Sequence, residues 1–302
     1  MTLLSVILVK VNTYHIHITG IVQGVGFRPY VYQLAKQYGL YGWINNTSDG
    51  VHIEINANEK AAELFYNQLI DQPPLLANIT NSSFKQVDSV AYSDFSIIES
   101  ESQASPNLPL TPDFALCEEC RQDIDDQTNR RNGYAFTTCT NCGPRYSIIN
   151  KMPYDRPLTT MASFEQCPTC KAEYNDPLNR RHYSQTNSCY DCGISLFTDD
   201  ENNIISVEQI AYLLNQGKII AIKGIGGFLL MCDASDPKVI NKLRERKNRP
   251  SKPFAVMYPS LDQIKKEYKV NEEAAKWLSN EVSPIILLEP KTKHLSIDIE
   301  SI

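Results

Sequence analysis

The chain has 302 residues, 42% hydrophobic and 21% charged, ordinary proportions for about two or three globular domains. A formal net charge of −6 gives no whole-chain reason to expect nucleic acid or an anionic membrane as partner, and no run of about 18 apolar residues marks a transmembrane helix. Eight of the nine cysteines form four Cys-x-x-Cys pairs within 76 residues, which in a large enzyme-like chain reads as metal binding in the cytoplasm rather than a secreted disulfide framework.

Residues 1–11 (MTLLSVILVKV) are apolar but lack a basic lead and a small-residue cleavage site. They are expected to be an upstream extension or an extra lead-in to the first strand. Residues 12–98 read as one domain. A β-rich run at 14–21 is followed by a helical pattern at 29–38. Alternating segments at 40–45 and 51–56 flank Ser48-Asp49-Gly50 as a hairpin, and a second amphipathic helix spans 59–70. Strands at 83–90 and 95–99 complete the order β-α-β-β-α-β, which predicts a ferredoxin-like α+β sandwich. Residues 99–112 (ESESQASPNLPLTP), polar and proline-rich, are expected to be a linker.

Residues 113–193 form the cysteine module. Cys117, Cys120, Cys139 and Cys142 are spaced Cys-x2-Cys-x18-Cys-x2-Cys. Cys167, Cys170, Cys189 and Cys192 repeat that spacing 50 residues on, and Asn129-Arg130-Arg131 recurs as Asn179-Arg180-Arg181 at the same displacement. Two cysteines on a tight turn offer two thiolates to one ion, and a second turn completes a tetrahedron of sulfur. Two structural zinc ions are therefore expected, with Gly143 and Gly193 suiting the turn after the last ligand. His182 near the second site reads as a surface residue or an outer neighbour of the metal, and Cys232 as a small buried hydrophobe. With 11 acidic and 9 basic residues between positions 109 and 193, the module reads as a brace rather than a nucleic-acid binder.

Two segments of the first domain carry chemistry. In Gln23-Gly24-Val25-Gly26-Phe27-Arg28 the glycines let the backbone curl so that successive N–H groups converge on an anion. The following helix adds its N-terminal dipole, and Arg28 supplies a planar cation for a two-point grip on phosphate. Asn46 ends the hairpin strand where a ferredoxin-like topology brings it beside this loop. An amide there can orient a water but cannot act as a strong base, which suits a substrate with a good leaving group. With the linker between them, the zinc sites are expected to be dispensable for this chemistry.

From residue 204 to 302 the pattern changes to an α/β beginning: helix, strand, Gly-rich turn (Lys223 to Phe228), strand, and a helix over 237–247. Positions 238–252 hold seven basic residues and one acidic. A solvated helix face explains most of these charges, but a basic cluster beside a Gly-rich turn can also bind nucleotide phosphates or RNA.

The loop Thr19-Gly-Ile-Val-Gln-Gly-Val-Gly-Phe-Arg28 with Gly42-Trp-Ile-Asn-Asn46 resembles acylphosphatase, including the 18-residue step from Arg28 to Asn46. That resemblance implies that Arg28 binds phosphate and Asn46 holds the attacking water. The whole chain resembles the HypF family: an acylphosphatase-like domain, two four-cysteine sites, then a YrdC-like domain. The strings Cys142-Gly-Pro-Arg-Tyr-Ser-Ile-Ile149, Pro153-Tyr-Asp-Arg156, Thr159-Thr-Met161 and Lys252-Pro-Phe-Ala-Val-Met257 carry this further resemblance. It implies cleavage of carbamoyl phosphate, carbamoyl adenylate formation with ATP, and transfer to the terminal cysteine of HypE for cyanide ligand synthesis in hydrogenase maturation. It also implies that Lys223, Lys247, Arg249 and Lys252 face a nucleotide. Only about half of the YrdC-like domain is expected within 204–302, so transfer is in doubt for this chain alone. A stand-alone acylphosphatase with a zinc-stiffened tail, or a non-catalytic RNA-binding module, are the competing readings.

Overall fold

The computed structural model describes residues 11–100, 108–199, 203–224 and 227–292. Most of the predicted upstream extension, the middle of the predicted linker and two residues of the Gly-rich turn lie outside the described residues. The chain divides into two compact units, Met1–Ile194 and Ser195–Ile302.

The first unit begins with β1 (Asn12–Ile21), α1 (Phe27–Gln37), β2 (Tyr41–Thr47), β3 (Gly50–Ala57), α2 (Glu59–Asp71), β4 (Asn78–Val87) and β5 (Phe95–Ile97). The sheet order is β4-β1-β3-β2-β5, antiparallel except that β5 runs parallel to β2. The split β-α-β order expected of a ferredoxin-like sandwich is thus present, with β5 as an added edge strand. The period-2 pattern decides which face is covered. Tyr14, Ile16 and Ile18 of β1 and Val51, Ile53 and Ile55 of β3 are buried, against Val31, Leu34, Phe65 and Leu69 of the helices. The alternate positions His15, His17, His52 and Glu54 line the opposite, half-buried face. Asn58 caps α2 by accepting from the Ala61 N–H, a contact worth ~1 kcal/mol in typical hosts.

The cysteine module follows in the same unit. Each half opens with a short helix, α3 (Glu118–Asp125) or α4 (Pro168–Asn175), whose N-cap is the first cysteine of its site. Between the halves run three 3₁₀ turns, at Tyr146–Ile148, Arg156–Leu158 and Thr160–Ser163. Little apolar core exists here beyond Ile148, Tyr154 and Met161, so the segment needs other cross-links.

The second unit contains α5 (Val207–Asn215), the antiparallel pair β6 (Ile220–Gly224) and β7 (Gly227–Met231), α6 (Pro237–Lys247), α7 (Leu261–Glu267), β8 (Tyr268–Lys269), α8 (Glu272–Ser279) and β9 (Glu289–Pro290). A full capping box between Ser206 and Gln209 starts α5. Asp236 caps α6, and Asn248 in the left-handed region ends it. Cys232 is half-buried, not buried as expected, because the adjoining strand β7 has only Met231 partly covered while Phe228, Leu229 and Leu230 are exposed.

Candidate active site and metal centres

The loop between β1 and α1 is set by two glycines in the left-handed region, Gly24 at φ 74° and Gly26 at φ 75°. Gly26 is also the N-cap of α1, so the loop runs directly into free helix N–H groups. Val22, Val25 and Phe27 pin it from beneath, each almost fully buried. Gln23 pins it from the side. Its Nε2 donates to the carbonyls of Thr47 at 2.8 Å and Gly50 at 2.9 Å, in the β2–β3 turn just past Asn46. The phosphate-type loop and the strand end bearing Asn46 are therefore one bonded unit. Gln23 is a brace by its side chain, and Gly24 and Gly26 serve by their backbone.

Arg28 and Asn46 line the same cavity, whose free volume is about 20 Å³, roughly one water. Both are buried, and Asn46 Oδ1 has no hydrogen-bond partner in the protein. A buried carbonyl oxygen left unpaired is costly unless a ligand satisfies it. Two more lining oxygens, Tyr154 OH and Ser184 Oγ, are buried and unpaired in the same way. Burial raises the Tyr154 and Tyr183 phenols above their ordinary range, so both stay protonated at neutral pH.

Six of the cavity's fourteen lining residues come from the cysteine module, contrary to the expected separation by a linker. Thr140, Arg145, Tyr154, Tyr183, Ser184 and Gln185 all line it. Asp155 Oδ1 lies 2.5 Å from Arg28 Nη2, and Arg28 stands over the Tyr183 ring at 5.3 Å. The Tyr154 N–H donates to Gln23 Oε1 at 2.9 Å, and Thr111 Oγ1 donates to the Gln23 carbonyl at 2.6 Å. Arg145 is the main tie. Its guanidinium donates to five carbonyls, those of Gly24, Cys139, Thr140, Cys142 and Pro144. That matches the five donors of an arginine, so a side chain only 2% exposed is fully satisfied. A Cβ at Gly24 would come within 2.9 Å of Arg145 Cδ, so this close approach needs glycine there. Residue-level reasoning missed Arg145, Tyr154 and Asp155 as site residues. Their signal was in the strings around Cys142–Ile149 and Pro153–Arg156, whose purpose is to close over the loop.

The eight paired cysteines form two clusters, each with its four sulfurs within 4.8 Å of one another. The Sγ–Sγ separations of 3.7 Å for Cys117–Cys139 and 3.8 Å for Cys139–Cys142, Cys167–Cys189 and Cys189–Cys192 far exceed a disulfide. A tetrahedron with zinc–sulfur bonds of about 2.3 Å has edges of about 3.8 Å. The donor set therefore fits a structural zinc in each cluster, held by Cys117, Cys120, Cys139 and Cys142, or by Cys167, Cys170, Cys189 and Cys192. A Cβ at Gly193 would meet the Tyr134 hydroxyl at 2.0 Å, which explains the glycine after the last ligand.

The repeated arginine pairs reach across from one half to the other. Arg131 Nη2 lies 2.5 Å from Glu173 Oε2, and Arg130 Nη2 lies 2.9 Å from Cys189 Sγ. Arg181 Nη2 lies 2.5 Å from Asp123 Oδ2, and Arg180 Nη1 lies 3.0 Å from Cys120 Sγ. Asp123 and Glu173 are themselves 50 residues apart, so the repeat encodes a reciprocal cross-brace. Cations beside a four-thiolate site offset its negative charge. His182 is not at the surface. It is 4% exposed and meets the rings of Tyr32 and Tyr183 edge-on, because the second half folds back onto α1.

In the second unit, Lys223 Nζ lies 6.0 Å from the centre of the Phe228 ring. Arg249 donates to the carbonyls of Lys252 and Pro253 and stands over Phe254 at 5.2 Å. Arg244, which sequence reasoning passed over, bonds the carbonyls of Arg249 and Lys252. Lys247 is exposed in the last turn of α6. The loop 249–254 is thus organised by arginines on its own carbonyls.

These features define an acylphosphatase domain joined to a double four-cysteine module. Residues 14–97 match the family model described as Acylphosphatase, residues 116–149 and 167–198 the HypF finger, and residues 212–301 the Sua5, YciO and YrdC model described as Telomere recombination. The chain is 40% identical over 83 residues to an acylphosphatase of Thermotoga maritima, covering 91% of that protein and 27% of this chain. It is 45% identical over 293 residues to carbamoyltransferase HypF of a Synechocystis species, covering 95% of this chain and 38% of that protein. A solved structure of full-length HypF in a phosphate- and nucleotide-bound form superposes with a TM-score of 0.87 at 40% identity, over 95% of this chain and 38% of that one. The chain belongs to the HypF family, and it spans well under half the length of the relatives it matches.

Proposed function

We propose that the chain cleaves the acyl phosphate bond of carbamoyl phosphate, as the first step of HypF-type carbamoyl transfer. The observation that carries this reading is the shared cavity of Arg28 and Asn46, with the loop of residues 23–28 on one wall and an unpaired Asn46 Oδ1 on the other. The backbone N–H groups of Gly24 to Phe27 and the Arg28 guanidinium hold the phosphoryl oxygens. Asn46 Oδ1 accepts a hydrogen bond from water and turns its lone pair toward phosphorus. Water adds to phosphorus as the bond to the carbamoyl oxygen breaks, giving carbamate and inorganic phosphate. The leaving group departs as a stabilised anion, so no strong base is required.

Asp155 occupies Arg28, and the free space beside it is about that of one water. Substrate therefore enters by taking Arg28 from Asp155. The eight cysteines would hold two zinc ions, and the module so braced would keep residues 139–156 and 183–185 over the loop. The exposed Lys247 and the arginine-ordered 249–254 loop support a nucleotide-phosphate surface in the second unit, with Lys223 and Lys252. There ATP would serve as co-substrate for carbamoyl adenylate, with HypE as the acceptor partner of the longer protein. Eight reduced thiolates suit the cytoplasm. Among the described residues no helix is long and apolar enough to cross a membrane.

The test is release of inorganic phosphate from carbamoyl phosphate by the 302-residue chain carrying two equivalents of zinc. Turnover should be lost in both Arg28→Ala and Asn46→Ala. Equal turnover in the Asn46→Ala protein would overturn the assignment.

A further inference from the structure

Three histidines meet on the sheet face turned away from the helices. His17 on β1 is the direct cross-strand partner of His52 on β3, and His15 lies two residues along β1 on the same face. The rings of His17 and His52 stack at 4.2 Å, and those of His15 and His52 lie 5.1 Å apart. Asp49, in the β2–β3 turn, brings its carboxylate to the same point. Asp49 Oδ1 is 3.2 Å from His52 Nε2, and Oδ2 is 3.7 Å from His17 Nε2. One ligand atom from each of His17, Asp49 and His52 falls within 4.8 Å of the others. None of these residues touches the acyl phosphate site or the cysteine clusters in the chemistry described above.

We propose that His17, His52 and Asp49 form a third metal site, for a divalent d-block ion of the zinc class. Two imidazoles and a carboxylate suit such ions and leave further coordination positions to water. The site is built rather than accidental. His17 and His52 stand on paired strands, which fixes their separation, and Asp49 is three residues from His52 across a tight turn. Thr47 Oγ1 donates to Asp49 Oδ1 at 2.5 Å and so holds the carboxylate. His17 Nε2 also lies 3.2 Å from the Asp49 carbonyl, a contact the ion would replace, and Gly50 leaves room at that nitrogen, since a Cβ there would come within 2.8 Å of it. His15 plays the supporting part. Its Nε2 is 3.0 Å from His52 Nδ1. If His52 donates from Nδ1 to that nitrogen, its Nε2 lone pair is left for the ion, which is how metal-bound histidines are commonly oriented. Glu54, opposite His15 and bonded by Tyr92, keeps negative charge nearby. The same turn is held from its other side by Gln23 of the phosphate loop, so occupancy also stiffens the segment that ends in Asn46 and Thr47.

The probe is Zn²⁺, titrated into the full chain already holding two equivalents in its cysteine sites, with binding followed by calorimetry and by the histidine ring signals in NMR. A third equivalent should bind, shifting the ring signals of His15, His17 and His52 and not that of His182. The His17→Gln, His52→Gln double variant should weaken this uptake by about 100-fold or more, and His15→Phe by about 10-fold. Retention of the first two equivalents reports that a variant is folded. Asp49→Asn, a change at a partly exposed turn, gives a second reading if the double variant fails to fold, and it too should weaken the third equivalent. Uptake of two equivalents only, or a third equivalent undiminished in Asp49→Asn and in the double variant, would overturn the proposal.

Discussion

Arg28 and Asp155 stand 127 residues apart in the chain and form a largely buried ion pair, Nη2 to Oδ1 at 2.5 Å. The cation that the proposed reaction needs is thus already held by a carboxylate from the cysteine module. Phosphate and Asp155 compete for the same guanidinium. Asp155→Asn keeps the shape and removes the charge, so it should strengthen inhibition by inorganic phosphate about tenfold, the usual scale for relieving one close charge contact. Phosphate affinity that stays level or falls in this variant would show that Asp155 positions Arg28 and does not compete for it.

Replacing Arg28 should act on both binding and turnover. Arg28→Ala removes the cation from the loop, and phosphate release should fall by about 10²-fold or more. Arg28→Lys should recover little, because an ammonium cannot reproduce a two-point grip or stand flat on the Tyr183 ring 5.3 Å away. Asn46→Ala should lower kcat much more than it raises KM, since the amide meets the water and not the phosphate. Steady-state kinetics on carbamoyl phosphate separate the three.

The excised segment 12–98 retains nearly all of the buried cluster that forms the ferredoxin-like core, so it should fold alone. It loses the wall made by Tyr154, Tyr183, Ser184 and Arg145. The segment should therefore hydrolyse bulky acyl phosphates such as benzoyl phosphate better, relative to carbamoyl phosphate, than the whole chain does. Stripping zinc from the whole chain with a chelator should move its substrate preference the same way. An unchanged ratio after excision would mean that the module does not restrict access.

The cross-brace gives a stability prediction. Arg131 is buried and Glu173 partly so, and removing Arg131 takes away its bonds to Glu173, Asn187 and the Ser188 carbonyl while Arg130 still faces the carboxylate, at a typical cost of about 1–3 kcal/mol. Arg131→Ala and Arg181→Ala should each lower the midpoint of thermal unfolding and speed zinc loss to a chelator, by similar amounts because the repeat makes them equivalent.

The same pair sets an acid limit. Burial opposes the charge on Glu173, but the hydrogen bonds and charge of Arg131 outweigh it and hold the carboxyl down at about 2. A carboxyl depressed in the folded state adds stability that is full above its unfolded value of about 4.5 and fades as pH falls toward 2. The stability gap between the parent chain and Glu173→Gln, measured by denaturant unfolding, should therefore be constant above about pH 5 and narrow below it. A gap independent of pH between 5 and 3 would rule this out.

Spacing alone determined the two four-cysteine clusters. A Cys-x2-Cys turn places two sulfurs together by local geometry, and a repeat of 50 residues shows in the sequence without any structure. The βαββαβ order and the glycine loop were legible for the same reason, since periodicity and turn chemistry are properties of a few adjacent residues, whereas Asn46 by itself reads as a turn former and was singled out by its resemblance to the acylphosphatase pattern. His182, Cys232 and the lid were not legible, because their surroundings come from distant segments. Only tertiary structure set Arg28 against Asp155, Arg145 against the Gly24 carbonyl and Arg131 against Glu173. Only strand pairing brought His17, His52 and Asp49 to one point. Side chains tens of residues apart meet through the register of a sheet and the packing of a loop, and a linear pattern does not encode those distances.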